Sequence, residues 1–388
     1  MTMKRSGSLR VRLFFRCMAI VLCVLMLCSC KKDKEGEGEG EAQPTQGTEA
    51  VQKGFEDADK GLVKRRSEEN KNTTAVKVGD EEVSMQKAMF LIYSMEVQGN
   101  SYASFYESQY GLDYWEMVYD EEGRTTRDVF KDETMDALIQ YAVLYDCAEK
   151  NGMSLTEQET AENNAFVEDL KLLMSAEEAE RGGFTTENLM ETCAWMMLAE
   201  KYYGRMTDNL GITKESVRET INKDDYKEYE TEYLYLPTTF YDEEYNVVSE
   251  SEDVIKARRE LMQNYYDMVK EGAAFDDLAA ADGTLVHNTR TFLEQGDGAE
   301  ETYKDSAMKL KVGEVCAPVE TEYGIYIVRM LDDACTKTYE ATVEAEYELK
   351  RNEAFQAAYE VLLEQYTVTV NDEAWDDIVL GATVSIME

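Results

Sequence analysis

The chain has 388 residues, of which 80 are Asp or Glu and 40 are Lys or Arg, for a net charge of −40. Charge of that sign and size repels nucleic acid and anionic headgroups, so both are poor partners, and it says nothing about fold. Eight cysteines are present, four of them within the first thirty residues; Cys147, Cys193, Cys316 and Cys335 are scattered without C-x-x-C spacing, so no disulfide framework is expected. Cys316 and Cys335 are the one pair close enough in sequence to consider for a bridge.

Residues 1–16 carry five basic side chains and no acid. The apolar run that follows is too short for a comfortable membrane span and fits a secretory leader. It ends in Leu27-Cys28-Ser29-Cys30, which looks like a bacterial lipobox. Cleavage after residue 29 would leave Cys30 diacylated, and two acyl chains give stable anchoring. The alternative is an uncleaved N-terminal anchor. In either case the rest of the chain is expected outside the cytoplasm, and losing the leader takes the net charge from −40 to −45. Residues 30–72, with "KDKEGEGEGEAQPTQG", read as an acidic spacer with too few apolar side chains to order itself.

Ordered structure is expected to begin with a hairpin, Val76 and Val78 alternating before a turn at Gly79-Asp80. Ser84 caps a helix from Met85. A second helix buries Met135, Leu138, Ile139 and Ala142, and Thr156 with Glu159 forms a capping box for a helix over about 157–179. Another follows over 186–204, with Trp195, Met196 and Met197 as its heavy core, and one more lies in "GITKESVRETINKDD". The character then changes. Tyr233 to Leu236 make a short strand stopped by Pro237. After an acidic loop, Ser251 caps a helix with an apolar face at Val254, Ala257, Leu261, Tyr265 and Met268. A further helical turn at "FDDLAA", a strand over Arg290–Leu293, an amphipathic segment and a pair of strands divided by Gly324 complete this part. The tail returns to helix and ends with Val368 and Val370 alternating. The fold class is α+β: a mostly helical domain built from 73–228 and 334–388, with an α+β domain inserted at 229–333.

Three stretches, "AVKVGDEEVSMQKAMFLIY", "ETMDALIQYAVLYDCAEKNGMSLTEQE" and "KLKVGEVCAPVETEYGIYIVRMLDD", together resemble the PrsA and SurA type of extracytoplasmic foldases. The last is similar to the closing motif of parvulin-type (PpiC) peptidyl-prolyl isomerases, and "VIKARRELMQNYYDMVKEGAAFDDLAA" is similar to their first helices. The resemblance implies a helical chaperone domain for unfolded secreted chains and a domain that speeds rotation about X-Pro bonds, whose uncatalysed barrier is high enough to limit folding. It also implies an apolar slot for the proline ring, with two histidines facing each other on neighbouring strands. Carried onto this chain, Tyr233 and Tyr326 stand at the two histidine positions. Thr321 matches the hydroxyl residue before the turn, Tyr303 the pocket Phe, and Phe292 the aromatic of the middle strand. The family's Gly-rich loop before that strand is missing, and no counterpart is found for its Cys/Asp or its pocket Met.

Two readings of Tyr233 and Tyr326 compete: a retained site in which phenols replace imidazoles, or simple strand packing, which the lost loop favours. His287, the only histidine, falls in the shortened loop and is expected to be exposed. With no second ligand at metal spacing, no phosphate loop and no nucleophile elbow, neither metal nor cofactor is expected. The 20 Met and 25 Tyr also suit an adaptable peptide-binding surface. The leading expectation is a lipid-anchored foldase for unfolded secreted proteins and X-Pro segments, with a degenerate isomerase site and no small-molecule ligand. The alternatives are a fully active parvulin, or a non-catalytic scaffold for one fixed partner.

Overall fold

A computed structural model describes residues 72–296 and 298–386. The leader, Cys30 and the spacer up to residue 71 lie outside the described residues. The fold is α+β, and the described chain divides into two compact units. One takes the residues up to Gly211 together with those from Arg351 onward, and the other takes Ile212–Lys350. The segments 212–228 and 334–350 thus group with the inserted unit.

The first unit is built on a small antiparallel sheet. β1 (Thr74–Val78) pairs with β2 (Glu81–Ser84) on one side and with β9 (Val368–Val370) on the other, Val76 opposite Val370 and Val78 opposite Val368. Around it lie α1 (Met85–Tyr110), α2 (Thr126–Lys150), α3 (Glu157–Leu173), α4 (Ala176–Gly182) and α5 (Thr186–Asp208). Their core includes Phe90, Trp115, Leu138, Tyr141, Trp195 and Phe355. Each helix start is closed by a side chain, with capping boxes at Thr125/Asp128, Thr156/Glu159, Ser175/Glu178 and Thr185/Asn188. The single helix expected over 157–179 is in fact two. Ser175 accepts from the Glu178 N–H, and Glu178 reciprocates toward the Ser175 backbone, so a new helix starts where the old one would have run on.

Glu96 ties the 379–385 segment to this unit from within. It is fully buried, and its carboxylate accepts from three successive backbone N–H groups, Thr383, Val384 and Ser385, at 2.7–2.9 Å. Asn100 bonds the Ser385 hydroxyl and in turn accepts from the Trp115 indole N–H. Such a nest of N–H groups is the natural seat of a carboxylate.

The second unit begins with the short helix α6 (Lys214–Arg218) and then forms a four-stranded antiparallel sheet. Its strands are β3 (Glu228–Pro237), β6 (Val286–Leu293), β7 (Val319–Glu320) and β8 (Gly324–Cys335), in the order β6-β3-β8-β7. Between β3 and β6 run α7 (Glu252–Lys270) and α8 (Phe275–Ala281), and α9 (Glu301–Ala307) follows β6. α10 (Lys337–Leu363) contains the boundary between the units, and α11 (Asp372–Asp376) follows β9.

Several local expectations need correction. The acidic loop after Pro237 is a hairpin, β4 (Thr239–Tyr241) with β5 (Val247–Ser249), whose tip is held by Asp242 accepting from the Glu244 and Asn246 N–H groups. On α7 the buried positions are Met262 and Val269, with Leu261 and Tyr265 half-buried, while Ala257 and Met268 face solvent. Gly324 is not the turn but the first residue of β8. A Cβ there would fall 2.1 Å from the Tyr235 ring and 2.5 Å from the Leu236 carbonyl, so close approach, rather than turn geometry, demands glycine. All four cysteines of the described residues are free, Cys316 and Cys335 included.

Burial pushes the Glu96 carboxyl up to about 7 against the pull of its three N–H donors. The folded state therefore keeps a proton that the unfolded chain gives up near the ordinary carboxylate range, so stability falls as pH rises from 5 to 8. Glu96→Gln should flatten that slope in urea unfolding. It should also cost roughly 1–3 kcal/mol throughout, because its amide sets an NH2 against backbone donors.

Candidate functional site

The site grows out of the pairing of β3 with β8. Leu234 stands opposite Ile327 and Leu236 opposite Ile325, and these four join Met262, Phe275 and Leu278 in one core layer. The alternate residues point the other way. Tyr229, Tyr233 and Tyr235 of β3 and Tyr326, Val328 and Met330 of β8 form a second layer, closed by Phe292 of β6 and by Tyr303 and Ala307 of α9.

Four of the five expected site residues meet in that second layer. Tyr326 faces Tyr235 across the strands and lies diagonal to Tyr233, which stands opposite Val328. The Tyr326 ring is 4.6 Å from Tyr235, 5.0 Å from Tyr303 and 5.4 Å from Tyr233, the last two edge-to-face. Tyr303 also packs on Phe292 at 5.9 Å, and Phe292 stacks on Tyr229 at 5.4 Å. This is the offset and perpendicular geometry that ring quadrupoles prefer. Phe292 and Tyr303 are buried, and Tyr326 is only 8% exposed.

The polar ends of these rings are largely committed. The Tyr303 hydroxyl shares a 2.7 Å hydrogen bond with Thr231, whose Oγ1 also reaches the Arg290 carbonyl. Tyr235 donates to the Tyr323 carbonyl at 2.9 Å. Burial raises Tyr303, and burial followed by the Glu300 carboxylate raises Tyr326, so both stay neutral phenols through the physiological range. Thr321 is apart from this group: its hydroxyl donates to the Gly324 carbonyl and accepts from the Gly324 N–H, which makes it a turn residue of the β7–β8 hairpin.

His287 is not in a loop. It lies in β6 opposite Leu234, on the sheet face away from the tyrosines. Its Nδ1 is 2.7 Å from Asp276 and its Nε2 3.1 Å from Glu232, and Glu232 also takes Arg329 at 2.6 Å. The Arg329 guanidinium rests 4.3 Å over the Phe275 ring. Both ring nitrogens thus face carboxylates, and the imidazole serves the packing of α8 on the sheet. No group of three or more His, Cys, Asp or Glu side chains with metal-binding geometry occurs among the described residues.

Tyr235, Thr231 and Glu300 complete the tyrosine layer and were not singled out from sequence. Tyr235 was open to discovery, since it follows Tyr233 at the spacing of two that keeps a strand's side chains on one face. Thr231 and Glu300 join only through β6 and the start of α9, which no local pattern reveals.

In this arrangement the tyrosine rings pack on one another on one face of the sheet, and His287 lies on the other face.

A family described as "PPIC-type PPIASE domain" matches residues 241–334. Among curated proteins, Foldase protein PrsA of Caldanaerobacter subterraneus is 23% identical over 233 residues, covering 57% of this chain and 62% of that one. Foldase protein PrsA of Bacillus subtilis is 28% identical over 134 residues, covering 32% and 45%. The chain thus spans less than two thirds of the curated relatives it matches. Among solved structures, PrsA from Bacillus subtilis is 17% identical, covers 68% of this chain and 97% of its own, and superposes with a TM-score of 0.22. Foldase protein PrsA from Streptococcus pneumoniae is 15% identical, covers 67% and 97%, and gives a TM-score of 0.28. Residues 241–334 thus match a PPIC-type, that is parvulin-type, PPIase domain, and the chain is similar to the PrsA foldases.

Proposed function

We propose that this chain is a membrane-anchored extracytoplasmic foldase that binds unfolded secreted proteins, and that its parvulin-type domain has lost most or all isomerase activity. The burial of Tyr326 among Tyr235, Tyr303 and Tyr233 carries the second half of this reading, because it replaces a slot with a packed layer. The domain match and the printed names of the relatives support the first half. The anchor rests on the lipobox-like Leu27-Cys28-Ser29-Cys30. A domain without turnover can still hold extended chain, so loss of catalysis leaves room for chaperone action.

In a protease-coupled assay on a proline tetrapeptide, cis-to-trans conversion should run at the uncatalysed rate, tens to hundreds of seconds at 25 °C. Clear acceleration that disappears in Tyr326→Ala would overturn the degenerate-site reading. Near-stoichiometric amounts of the chain should suppress light scattering from several unrelated unfolded proteins, and protection of none of them would leave a scaffold for one fixed partner. Cys30→Ser should move the chain from the membrane to the soluble fraction when cells are fractionated, and unchanged membrane association would argue for an uncleaved anchor.

A further inference from the structure

The helical unit exposes a second aromatic assembly, unrelated to the sheet. Along the last turns of α1, Tyr102, Phe105, Tyr106 and Tyr110 stand at helical spacing, and Tyr114 of the following turn closes over them. Tyr106 stacks on Tyr114 at 5.4 Å, Tyr102 lies 5.8 Å from Tyr114, and Phe105 and Tyr110 meet edge-on at 6.0 Å. Unlike Phe292, Tyr303 and Tyr326 of the sheet layer, three of these rings remain in water, Tyr102 at 37%, Phe105 at 52% and Tyr110 at 63% exposed, with Leu112 at 46%, while Tyr106 and Tyr114 are half-buried. Large apolar side chains left exposed in one contiguous patch mark an interaction surface.

The charge around the patch decides what fits it. From residue 88 to residue 123 there is no Lys or Arg, while Glu107, Asp113, Glu116, Asp120, Glu121 and Glu122 all fall within that span. The next bases in sequence, Arg124 and Arg127, pair with Asp120, Glu122 and Asp132 and with Glu116, so two bases meet these six carboxylates and the span stays net negative. An acidic rim around tyrosine faces repels a second copy of this acidic chain and an anionic lipid surface alike. It attracts a cation, which the π-face of each ring also favours.

We propose that this surface docks extended, cationic segments of unfolded polypeptide, with Lys or Arg over the tyrosine faces and neighbouring apolar side chains against Phe105 and Leu112. The proposal rests on the foldase reading above and gives it a substrate class: clients enter through stretches that alternate basic and apolar residues. It would also let the spacer's charge and the patch act in the same sense, concentrating basic chain near the protein.

The test uses the full chain and dye-labelled peptides read by fluorescence anisotropy. One peptide alternates Arg with Leu and Phe, and the other has Glu in place of Arg. The basic peptide should bind, weaken several-fold between 50 and 500 mM salt, and weaken about tenfold or more in the Tyr102→Ser/Phe105→Ser/Tyr110→Ser variant. The acidic peptide should not bind. A second variant, Glu107→Lys/Glu121→Lys/Glu122→Lys, leaves the rings in place and should also weaken the basic peptide, so a folding defect in the first variant would not decide the matter. Equal binding of both peptides, or unchanged binding in both variants, would overturn the proposal. So would concentration-dependent dimerisation, or adsorption to vesicles of anionic phospholipid, that either variant abolishes. Protection of unfolded proteins that persists in a variant unable to bind the basic peptide would sink this site and leave the foldase reading standing; loss of protection with peptide binding intact would do the reverse.

Discussion

The antiparallel pairing of β3 with β8 is the constraint on which the second unit depends. Side chains alternate along both strands, so one register decision assigns every residue of the two central strands to a face. With Leu234 set against Ile327, the leucines and isoleucines must go to the α7 and α8 side, and Tyr229, Tyr233, Tyr235 and Tyr326 must go to the α9 side. A slip of β3 by one residue would turn Glu232 toward Tyr326 and Val328 and take Leu234 away from Met262 and Phe275. Neither outcome can be rescued locally, because burying unpaired charge costs more than any ring contact returns.

That register also decides what surrounds Tyr233 and Tyr326. Tyrosine is longer than histidine and keeps its hydrogen-bonding atom at the far end of the ring. Tyrosines on one face pack on one another and on Phe292, and at the margins Tyr303 shares a hydrogen bond with Thr231 while Tyr235 donates to the Tyr323 carbonyl. The layer gains packing of the kind that holds a core together.

Much of the fold was legible because its signals are local. The alternation of Val76 and Val78, the Ser84 cap and the Thr156/Glu159 box each depend on neighbours a few residues away. What escaped depends on distant partners. β3 extends back to Glu228, whose carboxylate accepts from the Thr338 N–H and hydroxyl at the start of α10, more than a hundred residues on. β6 begins at Val286 because Tyr233, Leu234 and Tyr235 pair with Asn288, His287 and Val286, and this draws His287 out of the loop and into the sheet. The buried face of α7 turned out rotated from its apolar spacing because β8 and α8, not the helix itself, choose what is covered. For the candidate site, residue identities carried over well enough to bring Tyr233, Tyr326, Tyr303 and Phe292 together, whereas Thr321 belongs to a turn. Whether the assembled rings would be open or closed could not be read from their spacing.

The two tyrosine-rich assemblies show why composition alone does not separate core from surface. Both place aromatic residues at the period of their element, every second residue in β3 and every third or fourth in α1, and both bring the rings into edge-to-face or stacked contact. The difference is the cover. The sheet layer has α9, whose Tyr303 and Ala307 close over it, and Phe292, Tyr303 and Tyr326 are withdrawn from water. Over the end of α1 Tyr114 folds back, and the chain then leaves through a net-acidic loop whose Asp120 and Glu122 meet Arg124 and whose Glu116 meets Arg127. Withdrawn rings stabilise and are inert. Rings left in water on a net-acidic stretch keep their faces available to a cation, which is the property the proposed docking surface draws on.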